Sequence, residues 1–512
     1  MLEIRNITIQ THKGRTLINN LSFVLNKNDK IAIIGEEGNG KSTLLKAIIN
    51  PNLIQDYVSI QGDINKNGYQ CGYLSQTLDL SWNDTELFEF IVKKKPSEGL
   101  DPSYYNDISK VVECLSKVDF DSSLLFENRL MESFSGGEKV KIQLAKILYE
   151  QPDILLLDEP TNDLDLKTLI WLEEFIKEID RPVLFITHDE VLLENTANGI
   201  LHLEQLKRKT SPVWNFEHCG YIEYCERRNY NIQRTNRIAS KEKAEYEKQL
   251  ERYRQIYQRV DHELNSVSRQ NPHGGQLLKK KMRSVKALGK RLEDKELTHK
   301  IEPEEAIEIF FDECTVNRNK IILDLELPKL QVDDRTLCKD IRLLVKGNEH
   351  IVLIGQNGTG KTTLLKHILQ LLQNRKDITV GYLPQNYGDL LPTDISPVEF
   401  LLKNQEYEMK SKIQSYLGSL KFTSDEMEHK IKQLSYGQRC KVMLIHLVIN
   451  QFNVLLLDEP TRNLSPLSNP VIRKIFGDFG GCIISISHDR KFIDEVCDTV
   501  YEISNQSFIK MD

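Results

Sequence analysis

Two glycine-rich runs end in lysine and a hydroxyl residue: Gly35-Glu36-Glu37-Gly38-Asn39-Gly40-Lys41-Ser42 and Gly355-Gln356-Asn357-Gly358-Thr359-Gly360-Lys361-Thr362. Both match the GxxxxGK[ST] pattern, in which glycines let successive backbone N–H groups converge on phosphate oxygens. The helix that such a loop opens adds a favourable dipole for an anion. The pattern assigns Lys41 and Lys361 to the β/γ-phosphates of ATP, and the hydroxyls of Ser42 and Thr362 to Mg²⁺. Gly35, Gly38, Asn39, Gly40, Lys41, Ser42 and Thr43 therefore form one candidate ATP cradle. Gly355, Asn357, Gly358, Gly360, Lys361, Thr362 and Thr363 form the other.

Each cradle has acidic and imidazole partners downstream. Asp158-Glu159 and Asp458-Glu459 both end an apolar stretch, precede Pro-Thr, and lie 300 residues apart. His188 and His488 are separated by the same 300 residues. An aspartate at such a place reaches a Mg²⁺ shell, so Asp158 and Asp458 are the expected metal ligands. The following glutamates, Glu159 and Glu459, are placed to orient or deprotonate an attacking water. His188 and His488 are placed to sense the γ-phosphate. The same order of motifs in both halves, with the acidic pairs and the histidines each 300 residues apart, is the mark of an internal duplication.

Strands must deliver these loops. Lys30-Ile31-Ala32-Ile33-Ile34 and Ile154-Leu155-Leu156-Leu157 read as buried strands, as do Ile351-Val352-Leu353-Ile354 and Val454-Leu455-Leu456-Leu457. Alternation with helical spacing makes the fold class α/β, with P-loop nucleotide-binding domains at 1–205 and 303–512. Between them, residues 206–302 change period. Tyr246, Leu250, Tyr253, Tyr257, Val260, Leu264 and Val267 follow a heptad seam. Asn271-Pro272-His273-Gly274-Gly275 interrupts it, and Leu278, Met282, Val285, Leu288 and Leu292 resume helical spacing. The expectation is an antiparallel helical hairpin, with its tip near 268–277 and a first helix roughly 65 Å long.

A chain of 512 residues has room for two such domains and a connector. Net charge is −7, yet 227–300 holds 20 Lys+Arg against 9 Asp+Glu, or +11, which leaves −18 elsewhere. A basic segment on an acidic body fits insertion into a polyanion. The chain opens in a strand-like stretch without an apolar signal core, and no apolar run is long enough for a membrane span. The nine cysteines lack metal-ligand spacing, so reduced thiols in the cytoplasm are expected. Only 24 residues follow His488, so no long C-terminal extension is expected.

Ser135-Gly136-Gly137-Glu138 and Ser435-Tyr436-Gly437-Gln438, lying ahead of the acidic pairs, resemble the signature of ATP-binding-cassette (ABC) ATPases. Gln76 in Gly72-Tyr73-Leu74-Ser75-Gln76 and Gln385 in Gly381-Tyr382-Leu383-Pro384-Gln385 are similar to that family's Q-loop glutamines, which serve catalysis and the Mg²⁺ shell. The resemblance implies two cassettes that sandwich two ATPs head to tail within a monomer. Lys361, Gln385, Glu459 and His488 would then work with Ser135, Gly136 and Gly137. Lys41, Gln76, Glu159 and His188 would work with Ser435 and Gly437. Adenine stacking falls to His12 in the first site, and Val332 lies near the corresponding place in the second. Tyr436 stands where the family has glycine, so the second signature is expected to approach the γ-phosphate less closely. Thr161-Asn162-Asp163-Leu164-Asp165 has a counterpart, Thr461-Arg462-Asn463-Leu464-Ser465, without the final acid, and the two sites are expected to differ.

Both cassettes are whole, which sets aside chromosome-type ATPases. The cysteine pattern sets aside the zinc-bearing repair relatives and the ribosome-recycling relative with its iron–sulfur module. The whole chain resembles the tandem ABC-F group, and its tip resembles the antibiotic-resistance branch. That resemblance implies an ATPase that binds the ribosome from the tRNA exit site and protects the peptidyl-transferase centre from drugs. Its contacts with ribosomal RNA and P-site tRNA would come from Arg269, Gln270, Asn271, His273, Gln276, Lys279, Lys280, Lys281 and Arg283. A housekeeping ABC-F translation factor and the ATPase subunit of a transporter remain open alternatives.

Overall fold

The computed structural model describes residues 2–162, 164–205, 211–266, 272–295, 300, 310–311, 316–333, 335–403, 405–462, 464–504 and 506–511. Arg269, Gln270, Asn271, Asp163 and Asn463 lie outside the described residues, as does the side chain of His273. The chain divides into two compact units, Met1–Ile222 with Glu305–Asp512, and Glu223–Glu304.

The N-terminal half of the first unit carries β1 (Leu2–Thr11), β2 (Thr16–Leu25), β3 (Lys30–Ile34), β4 (Val58–Asn65), β5 (Cys71–Leu74), β6 (Ile154–Asp158), β7 (Val183–Ile186), β8 (Gly199–Gln205) and β9 (Ser211–Glu217). Its C-terminal half carries β10 (Ile321–Val332), β11 (Arg335–Lys346), β12 (His350–Gly355), β13 (Val380–Leu383), β14 (Val454–Asp458), β15 (Cys482–Ile486), β16 (Thr499–Ser504) and β17 (Ser507–Met511). Among the described residues the main sheets run β5-β6-β7-β3-β8-β9 and β13-β14-β15-β12-β16-β17. Each is parallel except for its last strand. One strand order thus serves both halves, and the duplication read from motif spacing is a duplication of topology.

These strands are parallel because they are buried on both faces. Every residue of β3, β6 and β14 is buried, which matches their unbroken apolar runs. Both glycine-rich loops leave the carboxyl end of the central strand, β3 or β12, where open parallel sheets receive ligands. The first sheet continues to Glu217, past the boundary at 205 expected from sequence, because β9 pairs antiparallel with β8. Antiparallel layers β2-β1-β4 and β10-β11 accompany the sheets.

The second unit is a helical hairpin. Its helices, Tyr221–Ser266 and Pro272–Glu293, run antiparallel: Val260 packs on Met282 and Val285, while Tyr253 lies against Gly289. At 46 residues the first helix is about 69 Å long. The break expected through Gly275 is shorter than that, since the return helix already starts at Pro272. Proline suits a first helical position, where no partner for its missing N–H is needed. The return seam also departs from expectation. Leu288 is 42% exposed and Gly289 is buried in its place.

Candidate active sites

Both phosphate-type loops depend on glycine at their first position. Gly35 and Gly355 have φ of +140° and +143°, and an added Cβ would lie 2.2 Å from the Leu203 carbonyl oxygen or 2.3 Å from that of Ile503. The loops open the helices Lys41–Ile49 and Lys361–Gln373, whose N-caps Gly40 and Gly360 are left-handed. Lys41 Nζ donates to the carbonyls of Gly35 (2.7 Å) and Glu36 (3.1 Å). Lys361 Nζ donates likewise to Gly355 (2.6 Å) and Gln356 (2.9 Å). Each ammonium is thus held inside its loop. Asn39 donates to the Leu203 carbonyl at 2.9 Å, so its side chain braces the first loop on β8.

Around the first loop the predicted groups converge. Ser42 Oγ donates to Asp158 Oδ1 (2.8 Å) and Tyr73 Oη donates to Asp158 Oδ2 (2.9 Å). Gln76 Nε2 and Asn162 Nδ2 both donate to Glu159 Oε2 at 2.7 Å. His188 Nε2 lies 3.5 Å from Glu159 Oε1. Burial disfavours the charge on Glu159, but the hydrogen bond and charge of His188, with Lys41 and Asn162, outweigh it and hold the carboxyl down at about 2.

The second cluster has the same members in a different electrostatic state. Asp458 is 1% exposed, and its Oδ2 has no hydrogen-bond partner. Glu459 accepts from the His488 backbone N–H at 3.3 Å, with His488 Nε2 3.8 Å from its Oε1. Burial, then repulsion from Asp458, pushes Glu459 up to about 8. Burial, then the charge of Lys361, pushes His488 down to about 4, and its Nδ1 is unpartnered. A neutral carboxyl and a neutral imidazole stand where the first cluster has an ionised glutamate. Both glutamates occupy left-handed backbone, with φ of +50° at Glu159 and +55° at Glu459. Such strain concentrates at functional sites.

The two halves complete one another's sites. A cavity of about 920 Å³ is lined by Lys361, Thr362, Gln385, Asp458, Glu459 and His488 from one half, and by Gly136 and Asn162 from the other. That volume suits a nucleotide-sized ligand. The buried, unpartnered oxygen of Asp458 at its wall fits a Mg²⁺ ligand. Ser135 and Ser435 cap the facing helices Gly136–Tyr149 and Tyr436–Ile449 through capping boxes with Glu138 and Gln438. Across the first loop the halves are in contact: the Gly437 N–H donates to Glu37, and His188 Nδ1 meets the Leu464 carbonyl at 2.6 Å.

The ABC transporter family profile matches residues 18–162 and 338–462, which together make up more than half of the chain. The protein belongs to that family. It is an ATPase with two cassettes. Over 533 residues it is 27% identical to the ribosome protection protein VmlR of Bacillus subtilis, covering 100% of this chain and 88% of that one. It is 26% identical to ABC transporter F family member 2 of Arabidopsis thaliana over 547 residues, covering 98% and 76%. Among solved structures, an archaeal ribosome recycling factor aABCE1, in complex with stalk protein aP1, shares the fold. The TM-score is 0.58 at 17% identity, over 98% of this chain and 90% of that one. No helix among the described residues is long and apolar enough to cross a membrane.

His12 stands on an exposed turn, with its Nε2 2.9 Å from the Gln55 carbonyl, and Val332, its counterpart 320 residues on, lines the large cavity. Tyr436 opens the signature helix Tyr436–Ile449. Its hydroxyl donates to the Gln385 carbonyl and its ring packs on Tyr387 at 4.8 Å, so the side chain turns back into its own cassette. Sequence reasoning also overlooked Arg15 and Arg335. Arg15 donates to the Gly38 carbonyl at 3.4 Å, and Arg335 lines the large cavity beside Val332. The duplication could have found them, since they stand 320 residues apart, as Lys41 and Lys361 do, each within Arg-Thr-Leu.

Proposed function

We propose that this ABC ATPase is an ABC-F protein that binds the ribosome and protects it from antibiotics acting at the peptidyl-transferase centre. What supports this reading is the joining of two mutually completing cassettes by a basic antiparallel hairpin. A full-length likeness to VmlR adds to it. ATP binding closes the cassettes, and the closed form engages the tRNA exit site. The hairpin reaches P-site tRNA and ribosomal RNA, with Gln276, Lys279, Lys280, Lys281 and Arg283, all exposed, as its contacts near the return helix start. Hydrolysis reopens the cassettes and releases the factor into the cytoplasm. A housekeeping ABC-F translation factor is the second reading, since an F family member whose name carries no ribosome protection is nearly as similar, at 26% identity.

Within each site, Lys41 or Lys361 binds the terminal phosphates, and the loop amides orient them. Glu159 or Glu459 takes the proton of the attacking water, with Gln76 or Gln385 and His188 or His488 holding the water and the γ-phosphate in line. Ser42 and Asp158, or Thr362 and Asp458, hold Mg²⁺ with Gln76 and Gln385; when bound, the ion offsets charge developing on the phosphates. The carboxyl states predict opposite pH behaviour. In a Glu159→Gln chain, kcat/KM should rise roughly tenfold between about pH 7 and about pH 9, as Glu459 loses its proton. In a Glu459→Gln chain it should stay flat there, because Glu159 is ionised throughout. A steady-state ATPase titration checks both.

In vitro translation stalled by a panel of peptidyl-transferase drugs, with and without the protein and ATP, tests the function. Rescue of some drugs is expected. Failure with every drug on native-host ribosomes would move the reading to the housekeeping factor, and absence from ribosomes altogether to a transporter subunit. Deleting 268–277 should abolish rescue yet leave ATPase activity within about twofold, since no ATP-site residue lies there.

A further inference from the structure

The first composite site has a feature its twin lacks. At the second and third loop positions it carries Glu36 and Glu37, where the other loop has Gln356 and Asn357. Both carboxylates cross to the opposite signature helix, Tyr436–Ile449. Glu37 accepts the backbone N–H of Gly437 in the helix's first turn, and Glu36 pairs with Lys441 Nζ at 2.9 Å, one turn further on. The ion pair is largely buried, at 18% and 14% side-chain exposure. The cleft beside these contacts, between Glu36, Glu37, Ser435 and Gly437, leaves only about 30 Å³. In the other cassette the matching lysine, Lys141, pairs at home with Asp119 and, among the described residues, makes no such crossing.

A carboxylate on the first-turn amides of a helix occupies the place, and carries the sign, of an incoming phosphate. Glu37 and a γ-phosphate therefore compete for Gly437, and two fixed negative charges in the loop repel the most highly charged nucleotide most. The contact is made by the side chains of Glu36 and Glu37 and not by the loop's backbone N–H groups, which serve the α- and β-phosphates.

We propose that Glu36 and Glu37 are specificity-determining residues that make the Lys41–Ser435 site prefer a nucleoside diphosphate, with Glu37 standing in for the γ-phosphate. That site then closes partly on its own carboxylates and turns over ATP slowly, and the Lys361–Ser135 site is the one that responds most strongly to ATP. The inference rests on reading the two glycine-rich loops as nucleotide cradles.

The test uses the full chain with Lys361→Ala, so that only the first site reads, and fluorescent ADP and ATP analogues with Mg²⁺. ADP should bind at least roughly tenfold more tightly than ATP, and adding Glu36→Gln with Glu37→Asn should bring the ratio to parity or below. Glu37→Asn alone, which releases the Gly437 N–H and keeps the Glu36–Lys441 pair, should give an intermediate ratio and guards against misfolding of the double variant. A preference for ATP before the loop is changed, or a ratio unmoved by both changes, overturns the proposal. If the unaltered chain binds neither analogue, the cradle reading itself falls.

Discussion

Replacing Glu159 and Glu459 together by glutamine should lower ATP turnover at least about 10²-fold while ATP binding stays within about twofold, a positioned general base contributing roughly 10² to 10⁴. Glutamine keeps the shape of each side chain and carries the same left-handed backbone, so the substitution removes proton acceptance and little else. Under the proposed cycle the doubly substituted chain should accumulate on ribosomes in the presence of ATP, because ATP drives closure only through its greater affinity for the closed state. Pelleting no better than the unaltered protein would falsify the cycle. The single variants apportion the loss. Glu459→Gln should account for most of it, since the nucleotide-sized cavity of about 920 Å³ and the unpartnered Asp458 oxygen both belong to its site.

The second large effect is expected away from the chemistry. Arg473 of one cassette and Glu190 of the other form a two-pronged ion pair, at 2.5 Å and 3.2 Å, with side chains only 3% and 4% exposed. Lys491 also reaches Glu190 at 3.3 Å, Glu495 accepts from Arg473 at 2.8 Å, and Arg490 binds Glu173 at 3.0 Å. Arg473→Met leaves a buried carboxylate with less compensation, so stability should fall by about 3–5 kcal/mol. That corresponds to roughly 6–20 °C in Tm for domains of this size. Adding Glu190→Met should recover most of the loss, and a double-mutant cycle in thermal denaturation measures the coupling. Equal losses in the single and double variants would deny the pair its role in joining the cassettes.

What sequence conveyed and what it hid follow one physical division. The loops, the acidic pairs and the histidines were legible because their chemistry needs fixed residue types at short range, and because the duplication supplied a second copy of each. The α/β class followed from buried runs such as those of β3 and β6. Groups whose partners come from across the fold were not legible. Nothing local to Tyr436 says that its hydroxyl finds Gln385 rather than a phosphate. Nothing near His12 foretells the Gln55 carbonyl. The acidic pair Glu36-Glu37 was visible in the loop, yet its meaning depends on Gly437 and Lys441, some 400 residues away. The opposite protonation of Glu159 and Glu459 arises likewise from donors that surround one carboxyl and leave the other dry.

The notch at Gly289 sets a rule for anyone resizing the hairpin. A Cβ there would lie 2.6 Å from the Tyr253 hydroxyl, so ring and glycine act as a key and its slot, fixing how far one arm may slide along the other. Residues added to a single arm would draw the key from its slot and misalign every rung beyond it. Sevens added to both arms at once would keep the seam and lengthen the strut by about 10 Å at each step. The protein therefore carries a ruler whose graduations are heptads.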